Sequence, residues 1–223
     1  MKIQEYADRD MLAIAVANVL AGEIEAALLH DEKIALAVPG GTTPGPVFDS
    51  LCAADLEWDR VRVLPTDERC VSSEDDRSNE KLIRQRLLTN RASVAEYVPL
   101  YVPGQAPEAA LAEVETLIAP VLPLSVLVLG MGEDMHTASL FPGMDGLDAA
   151  LDSNAPTLAV ARTEVQPEPR ITLTAPVLDG ALSKHLIIFG AAKRDALDRA
   201  MSLPPEEAPI AAVLSGMTVH WAE

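Results

Sequence analysis

The sequence predicts an α/β fold: an open, mostly parallel sheet with helices on both faces, in a Rossmann-like three-layer arrangement. Three observations carry this. Short strand patterns at residues 34–38, 61–64, 125–129 and 185–189 alternate with segments of helical spacing. These strands are apolar at nearly every position, as strands buried on both faces are. Each runs into a turn containing Gly, Pro or Thr, where the chain would reverse into the next helix.

Taken in order, residues 8–29 are rich in Ala and Leu at helical spacing. Their apolar part, residues 11–21, follows Glu5, Asp8, Arg9 and Asp10 instead of a basic segment and precedes Glu23 and Glu25. It is also too short to span a bilayer, so it reads as a helix packed on the core, not a leader. Residues 34–38 form a strand ended by Pro39-Gly40-Gly41. A helix over 44–53 would have Thr43 as N-cap and Pro44 at its first position. The strand at 61–64 runs into a charged loop. Helices follow at 78–88, with Ser78 as N-cap, and at 107–118. Strand 125–129 comes next, then extended pieces at 158–161 and 170–173. Thr174 caps a short helix begun by Ala175-Pro176. Strand 185–189, helix 191–201 and strand 218–221 close the chain. The Pro-rich pieces at 102–107, 165–169 and 203–209 read as surface loops. No internal repeat or long linker divides the sequence, so residues 1–223 read as a single domain.

Composition narrows the function classes. Lys and Arg number 17 against 34 Asp and Glu, a formal net charge of −17, which disfavours nucleic acid and anionic membranes as partners. Aromatic residues are only 4%, too few for base-stacking or carbohydrate-stacking surfaces. The two cysteines, Cys52 and Cys70, form no CxxC pair and fit a reducing, cytoplasmic compartment.

In a parallel sheet, ligands sit beyond the carboxyl ends of the strands. Four loops meet that condition: 39–43, 66–77, 130–141 and 190–193. The first, Pro39-Gly40-Gly41-Thr42-Thr43, offers backbone N–H groups and hydroxyls to an anion, although a capped tight turn has the same composition. It has neither Walker A nor GxGxxG spacing, so ATP and dinucleotides are not indicated. The second carries Asp67 and Arg69, which could hold sugar hydroxyls or form a solvated ion pair. It also carries Arg77, placed to reach a phosphate. The third reads Gly130-Met131-Gly132-Glu133-Asp134-Met135-His136-Thr137-Ala138-Ser139, with Ser139 in a run of helical appearance. An imidazole is the side chain whose ordinary pKa suits proton transfer at neutral pH, and Asp134 is near enough in sequence to orient that of His136. In the fourth, Lys193 could supply a point charge to a phosphate. His30, His185 and His220 lack such a setting and read as structural or surface residues. No zinc spacing and no GxSxG elbow is present.

Together these motifs resemble the 6-phosphogluconolactonases of the glucosamine-6-phosphate isomerase/6-phosphogluconolactonase superfamily. The matching pieces are PGGTTP at 39–44, TDERCV at 66–71 with RSN at 77–79, GMGEDMHTASLFPG at 130–143, RITLTAPVL at 170–178 and GAAK at 190–193. The resemblance implies an open α/β sheet and hydrolysis of 6-phospho-D-glucono-1,5-lactone to 6-phosphogluconate, in the oxidative branch of the pentose phosphate pathway. It implies no cofactor and no metal, a sugar-phosphate lactone as partner, and a monomer or small homo-oligomer. On that basis His136, helped by Asp134, would activate water. Gly40, Gly41, Thr42, Arg77 and Lys193 would hold the phosphate, with Arg170 as a further candidate, and Asp67 would position sugar hydroxyls. The sequence departs from the family where Met135 replaces the usual Gly between Asp and His, and where Pro39 stands at a common Ser. Two other readings remain open: a glucosamine-6-phosphate deaminase or isomerase with Asp67 as base, and a non-catalytic sugar-phosphate sensor. The N-terminal stretch is short and acidic for the DNA-binding segment such sensors usually carry.

Overall fold

A computed structural model describes residues 1–163 and 167–223. The chain begins with an edge strand, β1 (Lys2–Glu5), then the long helix α1 (Arg9–Leu28), whose first turn is capped by the Asp8 carboxylate accepting the Met11 N–H at 2.7 Å. Next come β2 (Ile34–Val38), α2 (Gly45–Leu51), β3 (Val61–Pro65), β4 (Asp67–Arg69) and α3 (Asn79–Arg86). The middle of the chain holds β5 (Glu96–Tyr97), α4 (Pro107–Ile118), β6 (Val126–Leu129), α5 (Leu147–Leu151), β7 (Leu158–Ala161) and β8 (Arg170–Leu173). It closes with α6 (Ala175–Asp179), β9 (Ser183–Phe189), α7 (Ala191–Ala200) and β10 (Thr218–Ala222).

Seven strands form one parallel sheet in the order β1-β10-β9-β6-β2-β3-β5. Side chains alternate across it with period two. Ala35, Ala37, Leu127, Leu129, Leu186 and Ile188 enter one apolar cluster. Ile34, Leu36, Val38, Val126, Val128 and Ile187 enter the other, under α1 and α2. That double burial is why these strands are apolar throughout. On α1, Leu12, Val16, Leu20, Ile24 and Leu28 are buried at three- and four-residue spacing, as expected of a helix laid on a sheet.

The structure adds and corrects several elements. Asp67–Arg69, which reads as loop, is a strand: β4 pairs antiparallel with β8, and β8 with β7, making a second, three-stranded sheet. Its charged sequence hides it, because Asp67 and Arg69 line a polar cleft and Glu68 bonds backbone N–H groups, so none of the three enters an apolar core. The edge strands β1 and β5 and the short helix α5 carry too few periodic residues to be read. Helix α2 starts at Gly45 after Pro44, and no side chain caps it, so Thr43 is not its N-cap. The piece at 203–209 is not wholly surface: Ala208 and Pro209 are buried. Of the piece at 165–169, residues 165 and 166 lie outside the described residues.

A buried polar chain ties the two ends of the protein to the sheet. Tyr6 Oη meets His220 Nδ1 at 2.8 Å, His220 Nε2 meets His185 Nδ1 at 3.0 Å, and His185 Nε2 meets Glu23 Oε2 at 2.6 Å. The Ser183 hydroxyl also donates to Glu23. One proton assignment satisfies every link: Tyr6 donates to a neutral His220, which donates to a neutral His185, which donates to ionised Glu23. An added proton must reverse the Tyr6 link or break one of the others, and it places a positive charge in a buried site. Burial, followed by the repulsion that a second proton on neighbouring His185 would add, pushes His220 down to about 4. Burial opposes ionisation of Glu23, but hydrogen bonds from His185 and Ser183 outweigh it and hold the carboxyl below its ordinary value.

Both shifts have the same sign for stability. The unfolded chain takes up protons that the folded chain refuses, so stability falls as pH drops from the ordinary imidazole range towards 4. Denaturant titrations between pH 7 and pH 4 should show a loss on the order of 2–3 kcal/mol from His220. His220→Gln should flatten this part of the curve. An unchanged slope in that variant would contradict the assignment.

Candidate functional site

Parallel pairing sets Val38 of β2 beside Pro65 of β3, and Leu129 of β6 beside Leu186 of β9, so the following loops open on one edge. They enclose an open cleft of about 280 Å³. Gly40, Gly41, Thr42, Asp67, Arg69, His136, Arg170 and Lys193 all line it. Among the described residues, no group of three His, Cys, Asp or Glu side chains is placed to hold a metal ion.

One end of the cleft is the glycine turn. Gly41 has φ +82°, a left-handed angle that glycine adopts without strain. Gly40 is needed for space: a Cβ there would lie 1.8 Å from Asn79 Oδ1. Asn79 is the first residue of α3, and its Nδ2 donates to the Asp67 carbonyl at 2.7 Å. Its side chain therefore joins the glycine turn to β4. Lys193 comes from the first turn of α7, and burial pushes its ammonium below its ordinary value while Glu133 opposes the shift.

Asp67 is buried in the cleft wall. Its Oδ2 accepts from Ser139 Oγ at 2.5 Å and lies 3.6 Å from Arg170 Nη1, and its Oδ1 accepts from Thr66 Oγ1 at 3.3 Å. The neighbouring Glu68 points the other way. Its carboxylate accepts backbone N–H bonds from Arg69, Asn79 and Glu80 at 2.7–2.8 Å, anchoring the N-terminus of α3. Burial pushes the Glu68 carboxyl up, against the pull of those donors.

His136 follows β6 on a compact turn. Met135 N–H donates to the Gly132 carbonyl at 3.0 Å, and Gly132 N–H donates to the His136 carbonyl at 3.1 Å. The imidazole Nδ1 lies 2.5 Å from Asp134 Oδ1, and that bond is the main cause holding the Asp134 carboxyl below its ordinary value. A Cβ on Gly132 would fall 2.3 Å from both Asp134 Oδ1 and His136 Nδ1. The turn does use the left-handed angle that the family's glycine suggests: Met135 has φ +66°. The strain is about 1–2 kcal/mol. It is held by the Ile210 N–H, which donates to the Met135 carbonyl at 3.1 Å, and by packing of the Met135 side chain on the apolar cluster. Phe141 spaces the site, with its ring 4.5 Å from the His136 ring centroid and the Arg170 guanidinium carbon 5.3 Å from its own.

The structure does not bring Arg77 into the cleft. It is exposed, and its guanidinium bonds Asp75 at 3.0 Å and Glu168 at 2.9 Å. Asp134 does not line the cleft either and reaches it only through His136. The run holding Ser139 is not helical. It is a tight turn closed by a Thr137–Leu140 bridge, with Ala138 at φ +48°. Sequence reasoning missed Asn79, Ser139, Thr172 and Gly132 as shapers of the site. The RSN, GMGEDMHTASLFPG and RITLTAPVL motifs contain all four, but nothing in their spacing shows which partners they bind.

Gly132→Ala should drive the imidazole away from Asp134. In proton NMR, the downfield Nδ1–H resonance expected of His136 in the native protein should disappear in this variant. A retained resonance would contradict the packing argument.

Comparisons with known proteins bear on the family and the fold. A profile described as glucosamine-6-phosphate isomerases/6-phosphogluconolactonase matches residues 7–221. A 6-phosphogluconolactonase of Caulobacter vibrioides is 35% identical, with 100% of this chain and 98% of that protein covered. One of Rhizobium meliloti is 40% identical, covering 95% and 94%. The crystal structure of a 6-phosphogluconolactonase from Shewanella baltica superposes with a TM-score of 0.96 at 30% identity, covering 100% and 98%. A monomeric glucosamine-6-phosphate deaminase superposes at 0.81 with 18% identity, a likeness of fold alone. The profile match and the full-length identities place the chain in the glucosamine-6-phosphate isomerase/6-phosphogluconolactonase family.

Proposed function

We propose that this protein hydrolyses 6-phospho-D-glucono-1,5-lactone to 6-phosphogluconate, in the cytoplasm, with His136 as general base. The relatives' activity supports the reaction. The observation that carries the mechanism is the 2.5 Å contact between His136 Nδ1 and Asp134, in a residue that lines the cleft. With Nδ1 committed to the carboxylate, Nε2 is the nitrogen left for water.

The steps follow from that tautomer. Nε2 takes a proton as water oxygen bonds to the lactone carbonyl carbon, and the carbonyl oxygen becomes an oxyanion. Arg69 and Arg170, in the same cleft wall, offer it positive charge. As the tetrahedral species collapses, the bond from that carbon to the ring oxygen breaks. The imidazolium returns its proton to the ring oxygen, now a hydroxyl. Asp134 stabilises the imidazolium in between. Gly40, Gly41, Thr42 and Lys193 hold the 6-phosphate, and Asp67 accepts from sugar hydroxyls. With the Asp67 oxygens already taking bonds from Ser139 and Thr66, its carboxylate suits fixed hydrogen-bond acceptance better than free movement as a base at the sugar C2.

Freshly generated lactone provides the test. His136→Ala should lose more than about 100-fold in kcat. Lys193→Ala should raise KM about tenfold with kcat changed only a few-fold. Arg77→Ala should alter neither by more than about twofold, since exposed ion pairs contribute little. Ammonia release from glucosamine 6-phosphate with no lactone hydrolysis would overturn the reading in favour of the deaminase chemistry.

A further inference from the structure

The segment carrying His136 and the strand carrying Asp67 are joined by one buried side chain. Ser139 lies three residues beyond His136, fully shielded from solvent. Its hydroxyl donates to Asp67 Oδ2 at 2.5 Å, and its backbone N–H donates to Thr172 Oγ1 at 3.1 Å. Thr172 in β8 stands directly opposite Asp67 in β4, and its hydroxyl donates to the Leu173 carbonyl at 3.0 Å. The turn that presents Ser139 is closed at its base by Leu140 N–H donating to the Thr137 carbonyl at 3.0 Å and is pinned to the end of β6 by Thr137 Oγ1 donating to the Gly130 carbonyl at 2.9 Å.

We propose that Ser139 is a positioning residue: it fixes the rotamer of the Asp67 carboxylate and locks the His136 turn to the second sheet. This rests on the lactonase reading, because Asp67 matters to turnover only if it holds the sugar. The physical grounds are local. A buried carboxylate accepting a short hydroxyl bond loses much of its rotational freedom. Oδ2 is turned towards Ser139 and Arg170, which leaves Oδ1, bonded weakly by Thr66, to meet a substrate hydroxyl. The same serine fastens the proton-transfer group and the sugar-binding group to one rigid body, so their separation does not drift between turnovers. Ser139 touches neither the reacting atoms nor, on this geometry, the substrate. Its effect travels through Asp67.

A double-mutant cycle on the full chain tests this. Ser139→Ala in the native background should lower kcat/KM by about 10- to 100-fold, the range for losing a hydrogen bond to a charged group. In an Asp67→Ala background the same change should cost less than about twofold, since its target is gone. The shape of the pH profile of kcat should be the same in native protein and Ser139→Ala, because the proton-transfer group itself is untouched. Melting temperatures of all variants separate folding from function. Should Ser139→Ala not fold, Ser139→Cys, a weaker donor of similar size, goes through the same cycle. Equal losses in both backgrounds, or no loss in the native one, would overturn the proposal. A native protein inactive on the lactone would overturn the underlying reading instead.

Discussion

Parallel hydrogen bonding of β6 with β2 on one side and β9 on the other is the interaction on which the site depends. Because strand direction is shared, every strand in this block releases its loop at the same edge. The glycine turn, the His136 turn and the first turn of α7 become neighbours although they lie far apart in sequence. The apolar side chains of these strands pay for that arrangement: they are buried on both faces and hold the polar loops up like a bench. A strand of opposite direction here would send His136 to the far side of the protein.

Above the sheet, precision comes from buried polar bonds and from places where no side chain fits. Asp67 is bonded through its carboxylate by Ser139 and Thr66 and through its carbonyl by Asn79. Asn79 in turn occupies the volume a Cβ on Gly40 would need, and the Asp134–His136 pair occupies the volume a Cβ on Gly132 would need. Glu68 satisfies the first N–H groups of α3 from within the protein, so that helix end is closed to ligands. The strain of Met135 and Ala138 at positive φ is concentrated in the segment that aims the imidazole, where backbone strain is commonly held by surrounding packing.

Much of this was legible in the sequence, and the remainder was not for identifiable reasons. The buried strands of the main sheet and the helices α1, α3, α4 and α7 are readable because burial leaves a periodic apolar trace. His136 and Lys193 are readable because a polar residue straight after such a strand or at the start of the next helix has one edge to go to. The second sheet leaves no such trace, since β4 is a run of charges whose pairing with β8 depends on residues a hundred positions away. Arg77 shows the opposite failure. Its place before a helix suggested an anion site, but Asp75, two residues earlier, captures it, and Glu168 completes the pair. The bond between Ser139 and Asp67 was hidden because the run around Ser139 resembles a helix, whereas it is a tight turn closed by Thr137 and Leu140. Met135 stands out in the sequence as a conflict with the family pattern, and its positive φ bears the cost of that conflict. The sequence alone could not show that Ile210, far along the chain, would stabilise the unfavourable angle.

On the proposed reading, the glycine turn and Lys193 hold the phosphate while His136 faces the carbon at the other end of the sugar. A crystal structure of the protein with 6-phosphogluconate bound would test it most directly. Phosphate oxygens are expected within hydrogen-bond distance of the Gly41 and Thr42 N–H groups and Lys193 Nζ. The product carboxylate is expected within hydrogen-bond distance of His136 Nε2, and a sugar hydroxyl on Asp67. A phosphate seated on Arg77, or a carboxylate turned away from His136, would contradict it.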